Sequence, residues 1–389
     1  MLPAKFLKAF VFTLVICTVF TFCKEKNTLV STSGDETTLV EPGVKVNTFL
    51  TGYEIIWGMD FLPDGDLVFT EKKGKVYRYH AGTVTELTGF PEVNNGGQGG
   101  LLDIKVHPAY ASNGWIYSTY AGYDNNRQGV LTLIRFKLSG NTISTIETLL
   151  KASTPNTWSN HYGSRIAFDN EGMLYVSIGE GGSTTYGGAS SPNMNAQNVK
   201  VEWGKVHRLT ADGKVPADNP ILPGNSAPTT VYSYGHRNPQ GLAHNPTTNE
   251  IWENEHGPRG GDEVNIIQKG KNYGWPLVSY GVNYDGVAVS ESPVMNGVEP
   301  PIHTWTPSIA PCGMAFITSD KFKAWKGNVL VGSLAYTHLT RLQISSNKIT
   351  KETKMLEGIG RVRNVKQGPD GNIYVSVEGP GRILQLVAE

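Results

Sequence analysis

Apolar and polar residues alternate along most of this chain in short runs, and Asp-Gly, Asn-Gly and Pro-Asp-Gly turns cut the runs. Alternation with a period of two predicts strands. Glycine in the turns supplies the positive φ that tight hairpins need. One unit recurs: an apolar strand, a turn, a second strand ending in small residues, then a third or fourth strand. It occurs at Met59–Tyr79, Asp103–Gly122, Arg165–Glu180, Gly241–Gly257, Gly313–Ala335 and Asn364–Leu386. Hairpins recurring at uneven spacing, with no amphipathic helix between them, predict the blades of a propeller. The expected fold class is all-β, a six-bladed β-propeller. Two separate β-sandwiches are the alternative, but a sandwich has no reason to repeat the same glycine-closed second strand six times. The alternating stretch Val44–Leu50 is expected to pair with the C-terminal blade and remove a free edge. Inserts at Gly181–Gln197 and Asp212–Thr230 lengthen the middle intervals, as loops on one face would.

Composition narrows the function. Among 389 residues, Lys+Arg and Asp+Glu number 34 each, so there is no basic excess for electrostatic binding of nucleic acid. The 45 glycines and 22 prolines suit a turn-dense β protein. Lys5 and Lys8 precede the apolar run Ala9–Phe22, so residues 1–22 read as a signal peptide and the protein as exported. Cys23 stands where an exported lipoprotein carries its acylated cysteine. Phe22 is bulkier than the usual residue before it, so acylation and plain cleavage both stay open. Residues 23–42 read as an exported tether and 43–389 as the propeller. The destination is the periplasm, free or as a membrane-anchored lipoprotein, with membrane contact only through Cys23. Cys17 falls in the leader, and Cys23 with Cys312 makes no disulfide framework.

The densest polar segment is Tyr234–Pro276, which carries His236, Arg237, Asn238, Gln240, His256, Arg259, Asp262 and Glu263. So many hydrogen-bonding side chains suit a polar ligand or a metal. Similar clusters enter the other repeats: Gly97–Leu102, Asn160–Arg165, Trp305–Ser308 and Arg361–Arg363. If inner strands line the axis, these residues converge at one mouth. His161 is the candidate base, with Glu180 placed to orient it; a hydrogen-bonded loop histidine is the plainer reading. Arg361 and Arg363 share a strand face and form a fork for carboxylates, or are solvated surface. Arg237, beside Asn238 and Gln240, can polarise an oxyanion or a quinone oxygen, or clamp a loop. Gly257-Pro258 offers two unobstructed carbonyls to a hard cation such as calcium, or is a plain turn. Glu263 and Tyr273 hold a second ion or are structural. His207, His244, His303 and His338 lack zinc-like spacing and are assigned structural or solvent roles. No phosphate loop, GxSxG or CxxC motif is present.

The motifs GQGGLLDIKVHP, HYGSRIAF…GE, YGHRNPQGLA, EHGPRGGDEVN, NYGWP and RVRNVKQGPDGNIYV resemble the soluble pyrroloquinoline-quinone (PQQ) dependent sugar dehydrogenases, the glucose/sorbosone or aldose dehydrogenase family. The likeness runs from about Gly52 to Leu386. It implies a six-bladed propeller with PQQ and calcium at the axial mouth. It implies His161 as the base for the sugar C1 hydroxyl, with hydride passing to the quinone and the aldose leaving as its lactone. Glu180 would support that histidine. Arg237 and Asn238 would hold quinone oxygens, and Gln98, Arg361 and Arg363 the cofactor carboxylates and ring oxygens. The carbonyls of Gly257 and Pro258 would bind the calcium, and Trp305 or Thr306 would lie over the cofactor plane. One departure stands out: after Ser333-Leu334 the family lysine is replaced by Ala335, leaving Tyr336 or His338 to substitute.

Three functions compete. The first is PQQ- and calcium-dependent oxidation of an aldose, with an external electron acceptor. The second is a calcium-dependent, lactonase-type hydrolase. The third is a non-catalytic propeller that binds a sugar or a partner.

Overall fold

In a computed structural model describing residues 36–38, 43–182 and 193–389, strands dominate, and they form six antiparallel sheets arranged as a six-bladed propeller. The first four-stranded blade is built from Ile56–Phe61, Leu67–Glu71, Lys75–His80 and Thr83–Leu87. The inner strands of the next four blades are Leu101–Val106, Ile166–Phe168, Pro239–Asn245 and Pro311–Phe316. Blade six begins at Arg361–Gln367 and continues through Ile373–Glu378 and Gly381–Ala388. All six repeats read from the sequence fall on these blades. The leader, Cys23 and most of the tether lie outside the described residues, as does the centre of the Gly181–Gln197 insert.

The ring closes with strands from both ends of the chain. Val44–Tyr53 pairs antiparallel with Gly381–Ala388, from Val44 opposite Ala388 to Tyr53 opposite Gly381. The expected pairing of Val44–Leu50 therefore forms, and it extends three residues further. Turn chemistry sets the hairpins. In Pro63-Asp64-Gly65 and Pro369-Asp370-Gly371 the Asp side chain accepts from the amide two residues on, at 3.1 and 3.0 Å, and the glycine takes φ +93 or +79.

The core lies between blades rather than within them. One apolar cluster joins blades one and two through Val68, Leu101 and Phe136; another joins blades five and six through Leu330, Val362 and Leu384. The second strands Leu67–Glu71, Leu174–Ile178 and Val329–Ser333 are buried throughout, because a neighbouring blade covers each face. Outer strands such as Lys348–Met355 are exposed or half-buried along nearly all their length.

Arg165 ties the ring together at the axis. Its buried guanidinium donates to Trp57 O (3.3 Å), Gln240 O (2.7 Å) and Arg363 O (2.6 Å), and pairs with Asp103 (3.2 Å). It also lies 3.4 Å from the Cys312 sulfur. One side chain from blade three thus reaches five other blades. It divides the axis into two ends.

Candidate active site

His161, Arg237 and Arg363 sit where the chain enters the inner strands of blades three, four and six, and Glu180 follows the second strand of blade three. His161 Nδ1 lies 2.9 and 3.0 Å from the two carboxylate oxygens of Glu180. Glu180 is fully buried and the His161 side chain is 12% exposed. Both oxygens of this one carboxylate face Nδ1, which places the proton there and leaves Nε2 to accept one. The backbone holds this pair. His161 adopts φ +45, and its amide donates to the Gln98 side chain at 3.0 Å. A Cβ on Gly179 would come within 2.2 Å of the His161 carbonyl, so only glycine fits beneath it. Glu180 N donates to Arg237 O at 2.9 Å, which joins blade three to blade four.

A second chain of contacts crosses the mouth. Asn238 Oδ1 accepts from Gly163 N and from Gln240 Nε2, each at 3.2 Å. Gln240 Oε1 accepts from Arg363 Nη1 at 3.0 Å. Arg363 and Arg361 each donate through Nε to a different oxygen of Glu378, at 2.6 and 2.8 Å. The two arginines therefore converge, but on an acid of the chain itself. Burial would raise the Glu378 pKa, yet Arg363 first and then Arg361 hold it below the usual carboxylate range. The Arg363 side chain is largely buried and that of Arg361 half exposed, because the strand bulges between them. His256 shows how closely the cations gather. Burial pushes its pKa down to about 3, and the positive charges of Arg237, His161 and Arg363 add to the shift.

Comparison with known proteins settles the kinship. The sequence profile of the family described as glucose / sorbosone dehydrogenase matches residues 53–385. The chain belongs to that family. Aldose sugar dehydrogenase YliI of Escherichia coli (strain K12) is 37% identical over 339 residues, covering 85% of this chain and 89% of the relative. A crystal structure described as glucose dehydrogenase superposes with TM-score 0.83 at 35% identity, covering 88% of this chain and 99% of the other. The PQQ-bound form of aldose sugar dehydrogenase from Streptomyces coelicolor gives TM-score 0.71 at 29% identity, covering 89% and 98%.

One expected member of the site sits elsewhere. Trp305 ends the outermost strand of blade four. Its indole is buried between blades four and five and donates to Glu352 at 3.0 Å, so it does not lie over the mouth. Thr306, at the exposed turn that follows, accepts from Gly261 N at 3.1 Å. His338 is buried, with Nδ1 3.2 Å from Tyr336 O. Tyr336 itself is exposed. In the same place Arg361 Nη1 donates to the blade-five carbonyl of Leu334 at 3.1 Å.

Next to Arg237 lies an acidic cluster only partly expected from the sequence. Glu253 and Glu255 share one face of their strand and stand opposite Asn265 and Glu263 on the next. Facing carboxylates across a ladder repel. Burial first, then the charge of Glu255, pushes Glu253 and Glu263 well above the usual carboxylate range. One amide, Asn265 Nδ2, contacts all three acids at 3.1–3.5 Å. Potential ligand atoms of His236, Glu253 and Glu255 lie within 4.8 Å of one another. Among the described residues, buried Glu253 Oε1 and Asn265 Oδ1 have no hydrogen-bond partner. A void of about 10 Å³, room for one water or ion, is lined by Glu255, Gly257, Gly261, Glu263 and Tyr273. This donor set fits a hard cation. The Tyr273 hydroxyl is already engaged, donating to Ile266 O at 2.6 Å. The Gly257 carbonyl accepts from Arg237 Nη1 at 2.9 Å and keeps a second lone pair.

Proposed function

We propose that the protein oxidises an aldose at C1 to its lactone, using PQQ and calcium. The observation that carries this is the His161–Glu180 pair, whose Nε2 has no partner among the described residues, at the same mouth as Arg237 and Arg363. The cofactor fits the residues present. Arg237 Nε and Asn238 Nδ2 are buried donors without a protein partner among the described residues, and they suit quinone oxygens. Gln98, Arg361 and Arg363 would hold carboxylates, and Arg361 brings its charge to where the family lysine is missing. The carbonyls of Gly257 and Pro258 would hold calcium, at the void that Glu263 and Tyr273 also line. When bound, PQQ supplies the acceptor for hydride from C1, and calcium supplies Lewis-acid polarisation.

The chain's own residues supply the proton chemistry. His161 Nε2 takes the C1-hydroxyl proton, and loss of the C1 hydrogen as hydride leaves the lactone. Glu180 holds the imidazole in the productive tautomer and stabilises the imidazolium. The buried Arg237 and Asn238 stabilise negative charge that develops at the acceptor oxygens. An external acceptor then removes the electrons. The leader at residues 1–22 would place the enzyme outside the cytoplasm, free or anchored at Cys23.

The test is to titrate the purified protein with PQQ, with and without calcium, by absorbance, and then to follow dye reduction with aldoses. Saturable binding with sugar-dependent reduction supports the reading. Sugar-independent background rates, or calcium-dependent lactone hydrolysis without PQQ, would reject it.

A further inference from the structure

On the far side of Arg165 the inner strands open into a second cavity of about 530 Å³, at the end of the ring away from His161. It is lined by the later halves of the inner strands and rimmed by Pro63, Pro108, Pro246 and Pro369. Its charged lining is Lys105, Lys366 and Arg165 against Asp60 and Asp103. Asp103 is committed to Arg165 at 3.2 Å and to the Ile166 amide at 2.9 Å. That leaves Asp60 for both lysines, with Lys366 Nζ 2.6 Å from one oxygen and Lys105 Nζ 3.5 Å from the other. Asp60 also accepts from the amides of Phe61 and Val106, each at 3.0 Å.

Two ammonium groups therefore share one acid whose oxygens already take two backbone donors. Both lysine side chains are about a quarter exposed to the cavity, where the charged groups of the lining sum to one positive unit. The strain falls on Lys366, whose pKa burial pushes down to about 8, with Lys105 adding to the shift against the pull of Asp60. We propose that this cavity is an anion site, in which Lys105 and Lys366 bind a small oxyanion of sulfate or phosphate size. The site stands on the opposite side of Arg165 from the candidate cofactor mouth and does not depend on that reading.

Calorimetry decides it: sodium sulfate titrated into the full protein, against sodium chloride at equal ionic strength. The expected result is one site per chain with Kd on the order of 1 mM, the range for two charge-assisted contacts. Lys366→Met and Lys105→Met should each weaken binding at least tenfold while leaving PQQ titration unchanged. Crystals of the wild-type protein soaked in selenate should show an anomalous peak between the two Nζ atoms, which tests the site even if a variant fails to fold. No sulfate heat beyond chloride, undiminished binding in the variants, or a cavity holding only water would overturn the proposal.

Discussion

Replacing Glu180 with Gln probes the proton relay with almost no change in shape. The carboxylate is fully buried and accepts from His161 Nδ1 through both oxygens. A hydrogen bond to an ionised partner contributes about 1.5–3 kcal/mol and one between neutral groups about 0.5–1.5. The imidazolium formed in the transition state would therefore lose ~1–2 kcal/mol of stabilisation, and kcat would fall roughly 5- to 30-fold. The loss grows if the new amide donates to Nδ1, because the His161 proton then moves to Nε2 and blocks the base. The assay is dye reduction by the PQQ- and calcium-loaded enzyme under saturating aldose, with the PQQ affinity of each variant measured in parallel. Glu180→Gln should lower kcat with PQQ affinity unchanged. A kcat within twofold of wild type, or a loss explained wholly by weaker PQQ binding, would refute the role given to Glu180.

Three further outcomes follow from the geometry. Gly179→Ala places a methyl 2.2 Å from the His161 carbonyl, so it should cost about 1–3 kcal/mol in urea denaturation and lower turnover by at least tenfold. Calcium should stabilise the protein even without PQQ, by about 2.7 kcal/mol at one hundred times its Kd, and Glu253→Gln should shrink that response in a thermal melt. His207, buried with Nε2 on Glu202 O and Nδ1 on Thr230, has its pKa pushed down by burial to about 4. A depressed pKa means that the unfolded chain binds the extra proton. Stability is then full above about pH 6.5 and is lost as pH falls toward 4, by about 2 kcal/mol between pH 7 and pH 5. Urea midpoints at the two pH values check this, and His207→Asn should flatten the dependence.

The repeat was legible because each blade carries its own turn chemistry, as in Pro63-Asp64-Gly65 and Pro369-Asp370-Gly371. The closing strand was legible because an alternating segment ahead of the first repeat can cover the open edge of the last blade. His161 and Glu180 could be matched because they bracket one hairpin, so local strand pairing brings them together. Contacts that depend on ring closure were not legible. Nothing near Arg165 in sequence marks it as the axial tie, since its partners lie on five other blades. Glu378 was missed as the acid gripping Arg361 and Arg363, although it closes the very next strand. Trp305 was misplaced by taking it as part of the turn into blade five, when it ends the outer strand of blade four. The Glu253–Glu255 cluster left one readable trace: two acids spaced by two on an otherwise buried strand.

His161→Ala in the PQQ- and calcium-loaded protein puts the base itself to the test. A positioned general base contributes about 10²–10⁴ in rate, so sugar-dependent kcat should fall by that factor while PQQ still titrates as it does in wild type. Turnover retained within a few-fold in the alanine variant would contradict the account.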